Sequence, residues 1–173
     1  MLRTAPITGA LQLGSLDNCG AMSNQMLEGL LRYGGEDTAA QGELLSSVAG
    51  YISRGQARLP DGALWRPEQG RTLWVDDLYM SCPFLVRWGE RTSDTRFLDD
   101  AAGQVIAFAQ RQQDRDGLWY HGNFVAESRT SPYKWGRGNG WAMVSTVEVL
   151  SALPAGHRDR ARLIEILRRH VGG

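Results

Sequence analysis

Two adjacent carboxylates, Asp76 and Asp77, stand among apolar and aromatic side chains in the stretch LWVDDLYMSCPF. An unpaired charge is costly to bury, so acids in this setting are expected to cap a helix or to do chemistry. Successive residues on a helix diverge by about 100°. Asp76 and Asp77 therefore cannot both face one pocket. We expect one of them to face inward, and Asp77 to be a cap or a surface charge.

Asp17, in the stretch GSLDNCGA, is a second acid at a predicted helix start. Two carboxylates from different elements beside aromatic walls suit sugar chemistry. Burial and a neighbouring negative charge hold one of them protonated, while the other stays ionised. We predict that Asp17 is the partner of Asp76 across the rim of a pocket. The alternative is that both acids only cap their helices.

The glycine-rich stretch WGRGNGW combines groups that can hold a sugar acid. Arg137 offers a planar fork suited to a carboxylate. Asn139 can donate and accept hydrogen bonds, and Trp135 and Trp141 can stack on a sugar face. The spacing is not GxGxxG and no strand precedes it, which excludes a phosphate-binding loop. The structural alternative is an Arg-bearing turn followed by an Asn cap.

Three histidines differ in setting. His121 follows two aromatic residues in GLWYHGNF, and because His titrates near neutrality, a functional and a structural role are both open for it. His157 and His170 lie in polar C-terminal segments and are expected to be solvated. No His, Cys or Asp spacing is typical of a metal site and no nucleophile elbow is present, so we predict neither metal nor cofactor.

Helical periodicity dominates the elements that must position these residues. One clear apolar face has spacings of i, i+3, i+4, i+7 and i+11, and it comprises Leu98, Ala101, Ala102, Val105 and Ala109. Similar patterns predict about six helices. The sequence has no sustained two-residue alternation of apolar and polar residues, which a sizeable sheet would require. The predicted fold class is therefore all-α.

A repeated turn predicts how the helices are organised. DGALW at Asp61 recurs as DGLW at Asp116, with the two Asp-Gly pairs 55 positions apart. The helix starts at Asp17, Asp76 and Asn139 are separated by 59 and 63 positions. This period is that of a repeated α/α hairpin, in which alternate helices are equivalent. We therefore expect these three residues at the same end of the molecule.

The composition restricts partners and compartment. The chain has 19 basic and 19 acidic side chains, so a nucleic-acid or membrane partner is not expected. Cys19 and Cys82 form no disulfide framework, which is typical of a reducing compartment. The N-terminus lacks the apolar core of a signal peptide. We therefore predict a cytoplasmic protein without a membrane or nucleic-acid partner.

Four stretches, in order from about Leu16 to Leu153, carry a resemblance to a known family: SLDNCGA, LWVDDLYMSCPFL, GLWYHG and WGRGNGWAM. The chain resembles the unsaturated uronyl hydrolases, glycoside hydrolase families 88 and 105, and most of all the unsaturated rhamnogalacturonyl hydrolases. The resemblance implies an (α/α)6 toroid with a metal-free site in the bowl at one end. Only about three hairpins are visible, so we expect residues 1–173 to be a single partial domain, about half of the toroid. Uncovered end helices would favour self-association.

The resemblance also implies an activity and a site. These enzymes release a 4,5-unsaturated uronic acid from the non-reducing end of lyase-generated oligosaccharides by hydrating its vinyl ether. Matching the motifs makes Asp76 the general acid and base, and makes Asp17 a second acid that assists binding and bears on the protonation of Asp76. The same matching puts six further residues around the sugar: Trp74 and Trp135 as walls, with His121, Arg137, Asn139 and Trp141.

Two departures and two alternatives accompany the resemblance. Asp77 stands where relatives are often small or neutral, and LWRPEQG (residues 64–70) stands where many relatives carry a His. The first alternative is a non-catalytic carbohydrate-binding or structural α/α module. The second is another sugar enzyme on the same toroid, a lyase or an epimerase.

Overall fold

The computed structural model describes residues 13–35 and 37–173, and most of them lie in helices. The N-terminal stretch that was judged to lack a signal peptide lies largely outside these residues. The described part contains six helices in three consecutive hairpins: α1 (Leu16–Tyr33), α2 (Ala39–Gly50), α3 (Asp77–Thr92), α4 (Arg96–Gln112), α5 (Gly136–Ala152) and α6 (Arg160–Val171). The prediction of an all-α fold built from α/α hairpins is confirmed.

The first helix of each hairpin packs beside the first helix of the next. Helix α3 lies between α1 and α5, and each of α2, α4 and α6 packs against the first helix of its own hairpin. We call α1, α3 and α5 the inner helices. Because the inner helices are equivalent by repeat, their N-terminal ends meet at one end of the molecule, as the spacing of their starts predicts.

Helix α3 is central, and its burial follows from its neighbours. Three helices surround it, so apolar side chains on several of its faces are buried, among them Leu78, Phe84 and Leu85. Helix α4 has the single apolar face expected from its sequence, with Ala101, Ala102, Val105 and Ala109 buried. The fully buried side chains of these helices make one continuous core.

The contact between α1 and α3 is a close approach of two backbones. A Cβ atom added to Gly20 would lie 1.6 Å from the Met80 carbonyl oxygen. Only glycine fits at this position. This packing sets the separation of the first two inner helices and of the side chains at their N-terminal ends.

The Asp-Gly turns are a true structural repeat. Gly62 and Gly117 have φ of +88° and +91°, a region that favours glycine. Asp61 and Asp116 each accept a hydrogen bond from the backbone N–H two residues later, at 3.3 and 3.0 Å. The two loops therefore leave their helices along equivalent paths and return to the same end of the molecule.

A small antiparallel sheet joins these two loops. Its strands are β1 (Thr72–Trp74), β2 (Gly122–Phe124) and β3 (Arg129–Thr130), in the order β1–β2–β3. In the register, Trp74 faces Gly122, and the Val75 N–H donates to the His121 carbonyl at 2.8 Å. Strands this short show no alternation in sequence, so they were not predicted. Their pairing brings the segment before α3 alongside His121.

Both cysteines are buried free thiols. Burial raises the pKa of Cys19 to about 11 and that of Cys82 to about 12. The prediction of no disulfide framework agrees with this arrangement. None of the helices in the described part combines the length and apolar character needed to cross a bilayer.

Large apolar side chains stand exposed on the first and last inner helices. They include Met22 on α1, and Val144 and Val147 on α5. Self-association through these helices stays a prediction, testable by sedimentation.

Candidate active site

Arg66 joins the N-terminal ends of α1 and α3. Its Nη1 and Nη2 atoms donate to the two carboxylate oxygens of Asp17 at 2.8 and 3.0 Å. Its Nε and Nη2 atoms donate to Asp77, the shortest contact being 2.6 Å. Burial alone would lower the pKa of Arg66, but the hydrogen bonds that it donates to Asp17 and Asp77 outweigh burial and raise the pKa. This bridging role was not predicted from the sequence.

Asp77 is neither a cap nor a surface charge, and that prediction is wrong. Its side chain is 0% exposed, and besides Arg66 it accepts a hydrogen bond from the Trp74 backbone N–H at 3.3 Å. Complete burial raises the pKa of Asp77 to about 6, opposed by the hydrogen bonds from Arg66. Asp76 and Asp77 contact different residues, as expected for neighbours on a helix. Asp77, however, is buried and ion-paired.

Asp17 does not contact Asp76 as the predicted partner. Both of its oxygens are engaged by Arg66. Capping does not account for these acids either. The N-cap of α1 is Ser15, and Asp76, the N-cap of α3, makes no capping hydrogen bond with its side chain. The hydrogen bonds of the Asp17 carboxylate therefore tie it to the site through Arg66.

Asp76 is buried against His121. Its Oδ2 atom lies 3.2 Å from Nδ1 of His121, and this oxygen makes no hydrogen bond of standard geometry with the described residues. Trp135, the N-cap of α5, donates its indole N–H to the same Nδ1 at 3.2 Å. His121 therefore joins the N-terminal ends of α3 and α5, and the structure brings it together with the predicted residues Asp76 and Trp135.

Trp74 lies between the two bridging residues. The Arg66 guanidinium is 4.3 Å from the centre of its ring, and the His121 ring centre is 5.2 Å away. The Trp135 ring meets His121 edge-on at 5.3 Å. The two predicted aromatic walls thus flank His121, beside Asp76.

Helix α5 adds a cation and an aromatic pair. Arg137 is exposed, its guanidinium lies 4.1 Å from the centre of the Trp135 ring, and it makes no ion pair with any residue described. Trp141, one turn further, stacks on Tyr79 of α3 with ring centres 4.0 Å apart. Tyr79 was not predicted, although its place three residues after Asp76 puts it on the same helix face.

The side chain of Asn139, predicted to contact the sugar, binds the backbone of a loop. Its Oδ1 atom accepts from the Trp119 N–H at 2.8 Å, and its Nδ2 atom donates to the Trp119 carbonyl at 3.1 Å. Nε2 of His170 is also 3.1 Å from Oδ1. Nδ2 also donates to the Trp135 carbonyl at 3.1 Å. These contacts occupy the amide, so Asn139 holds a loop.

His170 is buried, so the prediction that it is solvated is wrong. His157 instead lies 3.1 Å from Asp99. Asp99, His157 and Asp159 bring three potential metal-ligating atoms within 4.8 Å of one another. Arg158 pairs with both acids, at 3.2 and 3.3 Å, and supplies their counter-charge. This cluster lies at the start of α4, away from the N-terminal ends of the inner helices.

Comparison with known proteins identifies the family of this chain. Residues 15–173 match the family profile described as Glycosyl Hydrolase Family 88. The chain belongs to this family. It is 29% identical over 109 residues to the unsaturated 3S-rhamnoglycuronyl hydrolase of Alteromonas sp. (strain LOR), covering 61% of this chain and 26% of that protein. It is 27% identical over 126 residues to the unsaturated rhamnogalacturonyl hydrolase YesR of Bacillus subtilis (strain 168), covering 66% and 36%.

Two solved structures have the same fold as this chain. A family 105 glycoside hydrolase from C. acetobutylicum ATCC 824 superposes with a TM-score of 0.78 at 23% identity, covering 92% of this chain and 46% of that one. A possible family 105 member from Klebsiella pneumoniae gives 0.70 at 24% identity, with 89% and 41% covered. The three hairpins are thus about half of an (α/α)6 toroid. The chain spans about a quarter to a third of the curated relatives it matches.

Proposed function

We propose that this chain acts on oligosaccharides ending in a 4,5-unsaturated uronic acid and releases that sugar by hydrating its vinyl ether. The observation that carries the proposal is the placement of Asp76, a buried acid against His121 between the rings of Trp74 and Trp135. The names of the family 88 relatives support the substrate class. The aromatic rings suit the faces of a sugar.

Asp76 is the proposed general acid. Its carboxyl proton is transferred to C4, and the C4=C5 electrons form the new C–H bond, leaving an oxocarbenium ion at C5. Water adds to C5, and the Asp76 carboxylate takes the proton that the water releases. The resulting hemiketal opens to a ketone, and the hemiacetal left at C1 expels the leaving sugar as an alcohol. Each step transfers only protons and electron pairs, so none requires an oxidant.

Arg137 is the proposed partner of the substrate carboxylate. It is a guanidinium without an ion pair among the described residues, and Trp135 holds it in position. Arg66 is a poor candidate for this role, because Asp17 and Asp77 already occupy its donors. Arg66 instead orients the segment that carries Trp74 and Asp76. Asp17 then acts as a positioning residue.

The test is incubation of the 173-residue chain with oligosaccharides produced by polysaccharide lyases. Loss of the absorbance of the conjugated unsaturated uronate is expected, together with release of a shortened oligosaccharide. Titration calorimetry with the same oligosaccharides measures binding separately. Binding without turnover would contradict hydrolysis and favour a carbohydrate-binding module. Formation of new unsaturated ends, with rising absorbance, would instead indicate a lyase.

A further inference from the structure

Two groups compete for one nitrogen of His121. The Trp135 indole N–H points at Nδ1, with the two rings at 85° to each other. An indole N–H can only donate, so Nδ1 must accept. A proton on Nδ1 would face the indole proton. The neutral ring with its proton on Nε2 is the form that fits this contact.

The same geometry bears on Asp76. Its Oδ2 atom is 3.2 Å from this accepting nitrogen and is buried. An ionised Oδ2 would set its negative charge against a nitrogen lone pair, in a place where solvent does not reach it. A protonated Oδ2 can donate to Nδ1. The contact therefore favours the acid form of Asp76.

We propose that Trp135 is a positioning residue that acts through His121 to keep the shared proton on Asp76. The indole N–H holds Nδ1 as an acceptor, and the proton of the Asp76–His121 pair then stays on the carboxyl oxygen. The consequence for catalysis rests on the proposed function, because only vinyl-ether hydration uses this proton. The proton assignment itself does not depend on that function.

Among the described residues, five charged groups from four parts of the chain connect to His121 directly, through its flanking rings or through an ion pair: Asp17, Arg66, Asp76, Asp77 and Arg137. Asp17 and Asp77 are paired with Arg66. The guanidinium groups of Arg66 and Arg137 lie over the Trp74 and Trp135 rings that flank His121. Both cations disfavour an imidazolium between those rings. Asp76 is thus the one carboxylate of this set that is left to face His121 directly.

Replacing the indole makes the proposal testable. In Trp135→Phe the ring remains but the N–H is lost, so the Nδ1 lone pair becomes free. The proton then moves from Oδ2 of Asp76 to Nδ1 of His121, which leaves an imidazolium paired with a carboxylate. Trp141→Phe is the matched control, because that indole stacks on Tyr79 and does not contact His121.

The experiment is ¹⁵N NMR of histidine-labelled protein without substrate, with His157→Gln and His170→Gln used to assign the three rings. Wild type and Trp141→Phe are expected to show His121 neutral, with Nδ1 unprotonated, near pH 7. Trp135→Phe is expected to show Nδ1 protonated at the same pH. In Trp135→Phe/Asp76→Asn the new amide can donate to Nδ1, and the neutral form should return.

A protonated Nδ1 in wild type would overturn the proposal, and this holds even if Trp135→Phe fails to fold. So would an unchanged His121 spectrum in folded Trp135→Phe. Because the readout needs no substrate, these results are independent of whether the chain is active. If the chain turns over, Trp135→Phe should also shift the alkaline limb of the kcat profile to lower pH.

Discussion

Arg66 and His121 lie 55 positions apart and occupy the same place in two repeated loops. In each loop the preceding residue donates its backbone N–H to a carbonyl eight positions earlier, from Trp65 to Ala57 and from Tyr120 to Gln112. Arg66 then joins the ends of α1 and α3, and His121 joins those of α3 and α5. The same position of the repeated loop therefore carries an ion-pairing arginine in the first copy and a histidine that contacts Asp76 in the second.

Replacing Arg66 by Met should strongly destabilise the protein. The change leaves Asp77 fully buried without its counter-charge. Loss of one partner of a buried ion pair costs about 3–5 kcal/mol. Urea unfolding measures this cost as a lower midpoint.

The double variant Arg66→Met/Asp77→Asn is the control, since it removes the stranded charge as well. It should recover a substantial part of the loss. Equal unfolding midpoints for the single and double variants would contradict a structural ion pair between these residues.

Two glycines of α1 should respond oppositely to alanine. Gly20→Ala forces a Cβ into the Met80 carbonyl, and should cost about 1–3 kcal/mol or more as α1 moves away from α3. Gly29 has open space at its Cβ, so Gly29→Ala should stabilise by about 0.5–1 kcal/mol. Thermal unfolding of both variants checks the close approach. Similar effects for the two would contradict it.

His170 should make stability depend on pH. Burial lowers its pKa in the folded chain, so below the unfolded pKa of about 6.5 the unfolded chain binds more protons. The stability contribution is therefore complete above that pH, and declines as the pH falls towards the lower folded pKa. Urea unfolding at neutral and mildly acidic pH should show a smaller decline in His170→Gln than in His157→Gln. Equal declines would contradict the burial of His170 as the cause.

Arg137→Met should weaken substrate binding more than turnover. A charge-assisted hydrogen bond contributes about 1.5–3 kcal/mol, which is roughly 10–100-fold in KM. Arg96→Met is the control, since Arg96 is an exposed arginine that pairs with Asp94 beyond the C-terminal end of α3. A variant Arg137→Met with unchanged KM would exclude Arg137 from the carboxylate site.

Most of the fold that could be predicted from the sequence was predicted from the repeated α/α hairpin. The Asp-Gly turns at Asp61 and Asp116 indicated equivalent loops, and helical periodicity indicated six helices. Counting 55 positions back from His121 would also have identified Arg66, a signal that is present in the sequence. The ion pair of Arg66 with Asp77 was missed because an acid at a helix start has the sequence pattern of a cap.

Other features depend on contacts that no local pattern encodes. Asn139 looks like a sugar ligand by composition, but the Trp119 backbone, 20 positions earlier, occupies its amide. The β1–β2 pairing joins segments about 50 positions apart through strands of three residues each. Both depend on how the two loops meet, which is a property of the folded chain.

The most direct test of Asp76 as the catalytic acid is the rate at which Asp76→Asn consumes an unsaturated uronyl oligosaccharide. Asp37→Asn is the matched control, because Asp37 is an exposed acid that pairs with Arg91 near the C-terminal end of α3. General acid catalysis contributes about 10²–10⁴-fold, so Asp76→Asn should lose activity by that factor while Asp37→Asn keeps it. Wild-type turnover by a folded Asp76→Asn variant would contradict the account.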